Sequence, residues 1–153
     1  MNSSSRKQIM RAARELALNL LFQMDVARLS FEDAERAALE HAKVNPESLD
    51  IGIALARETW VRADEFDATA TALAPDWPSE RQPSVDRNIL RLGLYELEYR
   101  KQTPVAVVID ESVELAKLYG TAESAKFING VLDRAAKART SGEQGKADDG
   151  DAA

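Results

Sequence analysis

One segment in the second half of the chain reads Val85-Asp86-Arg87-Asn88-Ile89-Leu90-Arg91-Leu92-Gly93-Leu94-Tyr95-Glu96-Leu97. Between Ile89 and Leu97, apolar side chains occur on every side of the helix that this segment predicts. A surface helix carries its apolar residues on one stripe, so a helix that is apolar all round is buried. The segment therefore predicts a central helix with other helices packed around it.

The sequence on both sides of this helix is also helical in its pattern. Residues 74–83 contain three of the five prolines and predict a linker, because proline blocks an internal helix hydrogen bond. We expect Ser84 to cap the central helix, and Thr103 followed by Pro104 to begin the next one, which Gly120 ends. The other predicted helices cover residues 6–29, 31–43 (capped by Ser30), 49–73 and 122–139.

These elements predict an all-α fold. The β-branched run 105–109 lacks the alternation of a strand, and no strand pair is predicted. We expect one domain over residues 1–139, built from two small helical bundles, 1–73 and 84–139, that pack together across the linker 74–83. Residues 140–153 are polar, acidic and glycine-containing, so they have little to bury and are expected to form a disordered tail.

Composition excludes several classes of protein. The 153 residues include no cysteine and one histidine, which rules out disulfides, thiolate metal sites and a cysteine nucleophile. No apolar run approaches the roughly 18–20 residues of a membrane helix, and the N-terminus lacks the apolar region of a secretory signal. We therefore expect a cytoplasmic protein that does not associate with a membrane and binds no metal or cofactor.

The first helix combines cations with an aromatic residue. The net charge is −6, yet Arg6, Lys7, Arg11 and Arg14 all precede the first acidic residue. On a helical wheel, three of these cations share one arc with Leu18 and Phe22, opposite the apolar arc. Cations that neutralise phosphates and a ring that stacks on a base would suit single-stranded RNA. The alternative is a solvated basic face, with the two apolar residues packed against the second bundle.

Other residues offer weaker hypotheses. Asp110, Glu111 and Glu114 lie within about one turn and could act as acid and base or hold a hard cation. No phosphate loop or coordinating histidine accompanies them, so solvated acids near a helix start are the simpler interpretation. His41 is interpreted as a surface or capping residue. Trp77, between two prolines, is either an anchor of the linker or a contact for a partner.

Four blocks together resemble the NusB family of bacterial transcription antitermination factors. The match runs from about residue 6 to residue 137, with the blocks in the family's order and spacing. The blocks are RAARELAL at 11–18, the central segment 85–97, VIDESVELAK at 108–117 and KFINGVLD at 126–133.

The resemblance implies an all-helical RNA-binding protein without enzymatic activity. Family members bind the boxA segment of ribosomal RNA leader transcripts together with a small-subunit ribosomal protein, NusE. That pair joins other Nus factors on RNA polymerase and limits premature termination of ribosomal RNA synthesis. The basic N-terminal segment here is diluted by uncharged residues, with four cations through Arg14.

The resemblance also assigns roles to individual residues. The family's basic N-terminal segment falls on Arg6, Lys7, Arg11 and Arg14, and an aromatic residue used toward RNA falls on Phe22. The turn before the last helix belongs to the family's RNA surface, which makes Glu123 and Phe127 candidates. The acidic residue at the entrance of the central helix, used toward the ribosomal protein, falls on Asp86, with Arg87 beside it.

Two other functions stay open from the sequence. One is a purely protein-binding helical adaptor in which the basic face is inert. The other is a stand-alone relative of the helical domain that precedes the catalytic domain of certain ribosomal RNA cytosine methyltransferases. The sequence also leaves the oligomeric state open, including a homodimer.

Overall fold

The structure is a computed structural model that describes the backbone of residues 3–152 and the side chains of residues 5–139. The predicted all-α fold is confirmed, and the described residues contain no strand. A short 3-10 helix, Ser79–Arg81, separates the fourth and fifth helices. The helices are α1 (Ser3–Asp25), α2 (Phe31–His41), α3 (Pro46–Trp60), α4 (Ala63–Leu73), α5 (Ser84–Tyr99), α6 (Val105–Tyr119) and α7 (Ala122–Ala152).

Helix α5 is the buried centre of the fold, as its sequence predicts. Every residue from Asn88 to Leu97 is buried, and α5 packs against α1, α3, α4, α6 and α7. The buried apolar side chains of both halves form one continuous cluster that extends from Ala13 to Leu132. One core therefore joins the two halves of the chain. Their division into two sub-bundles stays a prediction.

Helices α1 and α3 pack closely because a glycine lies between them. A Cβ atom on Gly52 would lie 2.8 Å from the carbonyl oxygen of Ala13 and 2.9 Å from Cδ2 of Leu16. Nearby, the hydroxyl of Ser48 donates a hydrogen bond of 2.9 Å to the carbonyl oxygen of Ile9. The backbone of α3 therefore approaches α1 directly, which holds the basic N-terminal half of α1 in place.

The predicted third helix is in fact two helices. The first of them ends at Trp60, and the backbone of Arg62 is not helical, with φ −115° and ψ 18°, before α4 begins at Ala63. Neither proline nor glycine marks this break, and the apolar period continues across it because α4 also buries Phe66 and Ala70. Helices α1 and α2 end at Asp25 and His41, earlier than the pattern predicts.

The predicted helix caps are partly confirmed. Ser30 accepts a hydrogen bond from the Asp33 N–H at the start of α2, and Gly120 is the C-cap of α6. Ser84 is instead the first residue of α5, and Pro83 occupies the N-cap position. Pro104, not Thr103, likewise occupies the N-cap position of α6, and neither proline forms a side-chain hydrogen bond to its helix. The proline ring fixes φ at the N-cap position, so these two helices begin at a restricted backbone angle and not at a serine or threonine hydroxyl that caps them.

The predicted linker is tied to α4. The backbone N–H of Ser79 donates to the hydroxyl of Thr71 at 3.1 Å, and the Ser79 hydroxyl donates to the carbonyl oxygen of Asp67 at 3.0 Å. The side-chain amide of Gln82 donates to the carbonyl oxygen of Trp77 at 3.1 Å. These contacts fix the position of Trp77 relative to the entrance of α5.

Helix α7 continues to Ala152 and so exceeds the predicted end at residue 139. Beyond residue 139 only the backbone is described. The expected disorder of residues 140–153 stays a prediction. Among the described residues, none of the helices could span a membrane, and no group of three or more His, Asp or Glu side chains is arranged to hold a metal ion.

Candidate nucleic-acid interface

A broad groove of about 1210 Å³ runs between the N-terminal half of α1, the loop from α5 to α6, helix α6 and the first turns of α7. Its lining is rich in cations drawn from four separate elements. Three carboxylates of α6, those of Asp110, Glu111 and Glu114, also line it. The cations are Arg6, Lys7, Arg11, Arg14, Arg100, Lys117 and Lys126.

Two of the predicted cations lie at the solvent-exposed rim. Arg6 is about half exposed and forms an ion pair with the exposed Glu47 of α3. Lys7 is also exposed. Exposed ion pairs are worth about 0–1 kcal/mol, so exchanging Glu47 for another anion would cost Arg6 little.

Arg11 is held at the floor of the groove. Its Nε donates to Oε2 of Glu111 at 3.1 Å, and its Nη2 donates to Oε1 at 3.0 Å. The Arg11 side chain is 44% exposed, whereas that of Glu111 is 9% exposed. The interpretation of Glu111 as a solvated acid is therefore wrong, because its carboxylate is buried and paired.

The placement of Arg14 on the exposed face of α1 is also wrong. Its side chain is 5% exposed and donates from Nε and Nη2 to the carboxylate of Glu96, both at 2.9 Å. Glu96, on α5, is 2% exposed. Leu18, on the same predicted arc, is also buried. The arc is therefore buried at Arg14 and Leu18, where it faces α5 and α6, whereas Lys7, Arg11 and Phe22 reach solvent.

Sequence reasoning missed three cations on the other walls of the groove. Arg100 lies in the loop after α5, Lys117 near the end of α6, and Lys126 in the first turns of α7. The ion pairs that Lys117 and Lys126 form with other described residues are exposed i,i+3 pairs with Glu114 and Glu123. These positions are scattered in sequence, so no local pattern marks them.

A second site, the aromatic recess, lies at the entrance of α5 and has a volume of about 480 Å³. Trp77, Tyr119 and Phe127 line it together with Asp86 and Glu123. The rings of Trp77 and Phe127 meet edge to face, with centroids 6.5 Å apart and an interplanar angle of 66°. Trp77 is 47% exposed and Tyr119 is 52% exposed, so both rings are accessible.

Asp86 lies at the bottom of this recess, where it is 5% exposed. Burial raises the pKa of its carboxyl group, although Ser124 opposes this by hydrogen bonding. Among the described residues, Oδ1 of Asp86 has no hydrogen-bond partner. The predicted protein-binding acid is thus a desolvated carboxyl group, not an open surface charge.

Arg87, the other predicted protein-binding residue, is engaged inside the molecule. Its Nη2 donates to Oδ2 of Asp25 at 2.7 Å, and its Nη1 donates to the carbonyl oxygens of Ser79 and Gln82. Burial alone would raise the pKa of Asp25, but hydrogen bonds from Arg87 and Asn88 hold that pKa below its ordinary value. Arg87 therefore ties the end of α1 to the start of α5.

The remaining predicted residues are accessible but separate. Phe22 is 38% exposed on the C-terminal half of α1 and lines neither the groove nor the recess. Glu123 is exposed, and Phe127 is half-buried in the wall of the recess. The structure thus brings Arg6, Lys7 and Arg11 together in the groove, and Glu123 and Phe127 together in the recess. Helix α7 contributes residues to both sites.

Comparisons with known proteins agree on one family. The model of the NusB family matches residues 11–137. The transcription antitermination protein NusB of Desulforudis audaxviator is 38% identical over 124 residues, which cover 81% of this chain and 90% of that protein. That of Myxococcus xanthus is 39% identical over 132 residues, 84% of this chain and 94% of that protein.

Solved structures give the same result. NusB of T. maritima superposes with a TM-score of 0.74 at 35% identity, covering 84% of this chain and 90% of that one. A complex of the antitermination factors NusB and NusE with double-stranded RNA includes a chain that matches with a TM-score of 0.76 at 26% identity, covering 86% and 98%. On its fold, its sequence and the extent of both matches, this chain belongs to the NusB family.

Proposed function

We propose that this chain is a non-enzymatic, RNA-binding transcription antitermination factor of the cytoplasm. It binds single-stranded boxA-type RNA of ribosomal RNA operons together with the small-subunit ribosomal protein NusE. Through that pair it joins other Nus factors and RNA polymerase. Relatives at 38–39% identity carry the antitermination name, and a structural neighbour was solved with NusE and RNA.

The observation that carries this proposal is the basic groove. Cations from α1, the loop after α5, α6 and α7 converge on one concave surface of a protein whose net charge is −6. Phosphate neutralisation releases counterions and supplies most of the affinity of such surfaces. In this account Arg6, Lys7 and Arg11 position the RNA backbone, and Arg100, Lys117 and Lys126 extend its path.

The aromatic recess supplies base contacts in the same account. Stacking on an aromatic side chain contributes about 1–3 kcal/mol per base. Phe127 is the proposed stacking residue of the recess, and Glu123 accepts a hydrogen bond from a base edge. Phe22, which lies outside the recess on α1, is a second proposed stacking residue. Asp86 and Arg87 belong to the proposed contact region for the ribosomal protein. Because Arg87 is bound to Asp25, its role there is to hold the entrance of α5 in shape.

Arg14 has a different role from the one that the sequence suggests. Its guanidinium is buried against Glu96, so we assign it to the support of α1 and not to RNA contact. Two RNA surfaces on one complex act through effective concentration, so the complex with NusE should bind RNA far more tightly than either protein alone.

Substitution of the groove cations tests the proposal. Arg6→Ala with Lys7→Ala should weaken binding of a boxA-type RNA and flatten the dependence of log K on log salt by about 0.7 for each phosphate that is no longer neutralised. Arg36→Ala is the matched control, because Arg36 is an exposed cation of α2 paired with Asp33, outside the groove. Equal RNA affinity of the wild type and both variants in a titration would overturn the groove as the RNA site.

A further inference from the structure

The groove contains an arginine whose position is set by a buried carboxylate. Glu111 uses both of its oxygens to bind the Nε–Nη2 edge of Arg11, at 3.1 and 3.0 Å. A guanidinium carries five N–H donors in a rigid plane, so this pairing also fixes where its remaining donors point. Arg11 lines the groove with its side chain 44% exposed, and Glu111 leaves unused the two N–H donors of Nη1 and one of Nη2.

Glu111 cannot easily give up this partner. Its side chain is 9% exposed, and a buried carboxylate without a cation is strongly destabilising. Burial by itself would raise the pKa of Glu111, but the hydrogen bonds from Arg11 and the charges of Arg11, Arg14 and Lys7 hold that pKa below its ordinary value. A phosphate that arrives in the groove therefore adds to the pair and does not replace Glu111.

The other acids of the groove differ from Glu111 in this respect. Glu114 is 47% exposed and pairs only with Lys117, at 3.5 Å and three residues away on the same helix. Asp110 is exposed. Both lower the local positive potential, but neither holds a cation of another helix by two hydrogen bonds.

We propose that Glu111 is a positioning residue for RNA: it orients Arg11 so that the free edge of the guanidinium forms a ready-made fork for one backbone phosphate. This inference rests on the proposed function of the groove. An acid that repels RNA in isolation thus increases affinity through the arginine that it holds. A flexible arginine would lose more side-chain entropy when it binds the same phosphate.

The test compares Glu111→Gln with Glu114→Gln in the full-length protein. Both variants remove one negative charge from the same groove, so both gain the same long-range attraction for RNA. Only the first disrupts the fork, because a glutamine amide keeps one oxygen that accepts from Arg11 but sets its NH2 group against the second Arg11 donor. In titrations with a labelled boxA-type RNA, Glu111→Gln should bind about tenfold more weakly than Glu114→Gln, equivalent to about 1.4 kcal/mol.

The salt dependence supplies a readout that a purely structural role would not change. The slope of log K against log salt should be shallower for Glu111→Gln by about 0.7, the value for one phosphate contact on a single strand. In an Arg11→Ala background, Glu111→Gln should weaken binding no further, because Glu111 acts through Arg11 alone. Glu111→Asp, which keeps the charge on a shorter side chain, should fall between the wild type and Glu111→Gln.

The outcomes separate the two proposals. If the wild type binds RNA and Glu111→Gln binds as well as or better than Glu114→Gln, with an unchanged slope, the positioning role is overturned and the groove stands. If the wild type shows no salt-dependent RNA binding, the proposed function itself fails, and the positioning role with it. Should Glu111→Gln fail to fold, Glu111→Asp decides: affinity equal to the wild type overturns the positioning role.

Discussion

Replacement of Arg14 by alanine should destabilise the fold and not merely weaken RNA binding. The Arg14 and Glu96 side chains are 5% and 2% exposed, and two hydrogen bonds of 2.9 Å join them. Removing one partner of a buried ion pair leaves the other charge uncompensated, which costs about 3–5 kcal/mol. At about 2–4 °C per kcal/mol for a chain of this length, the melting temperature should fall by roughly 6–20 °C.

Thermal and urea unfolding, followed by circular dichroism, measure this effect. Arg36→Ala is the control, because the exposed pair of Arg36 with Asp33 should contribute at most about 1 kcal/mol. The double variant Arg14→Met with Glu96→Leu should recover most of the lost stability, since an apolar pair of similar volume replaces both buried charges. A melting temperature of Arg14→Ala within about 2 °C of wild type (about 1 kcal/mol or less), together with a large loss of RNA affinity, would refute the assignment of Arg14 to structural support.

Three further predictions concern stability and the groove. Asp86→Asn should raise the melting temperature at neutral pH. Because burial raises the pKa of Asp86, the charged carboxylate lowers the stability of the fold once the pH exceeds that pKa. In acid the carboxyl group is neutral, so melts at several pH values should show the gain disappear at low pH. Gly52→Ala should destabilise by about 1–3 kcal/mol through overpacking against α1, whereas Gly130→Ala, whose Cβ would meet nothing closer than 3.7 Å, should stabilise by about 1 kcal/mol in urea unfolding. Arg100→Ala and Lys126→Ala should each reduce RNA affinity and the salt slope without changing the melting temperature; an unchanged slope would exclude them from the RNA path.

Periodicity was sufficient to predict the helices, because each one buries a stripe or, for α5, its whole circumference. It was not sufficient to find the break between α3 and α4. The turn at Val61 and Arg62 contains neither proline nor glycine, and the helices on both sides bury residues in the same core. Such a break is set by tertiary packing and leaves no local signal.

The candidate site was harder to predict for a similar reason. A helical wheel places Arg11 and Arg14 on one face, but it does not contain the carboxylates that they meet. Glu96 and Glu111 lie 82 and 100 residues away in sequence, and they decide that Arg14 is buried while Arg11 stays half exposed. Long-range ion pairs of this kind become visible only once the helices are packed.

The aromatic recess illustrates the same limit. In the sequence, Val108, Ser112, Ala116 and Tyr119 recur at helical spacing and predict that Tyr119 faces the core. In the structure Tyr119 is 52% exposed and lines the recess. The two interpretations of Trp77 turn out to be compatible. Its backbone is anchored by Gln82, while its ring remains 47% exposed beside Phe127.

The measurement that tests the account most directly is binding of a labelled single-stranded boxA-type RNA to this protein. It should be made with and without NusE, at two salt concentrations, and against a scrambled RNA of the same composition. The account predicts salt-sensitive binding that prefers the boxA sequence and strengthens when NusE is present. Equal affinity for the scrambled RNA in the presence of NusE, or no binding at low salt, would contradict it and leave a helical protein-binding adaptor.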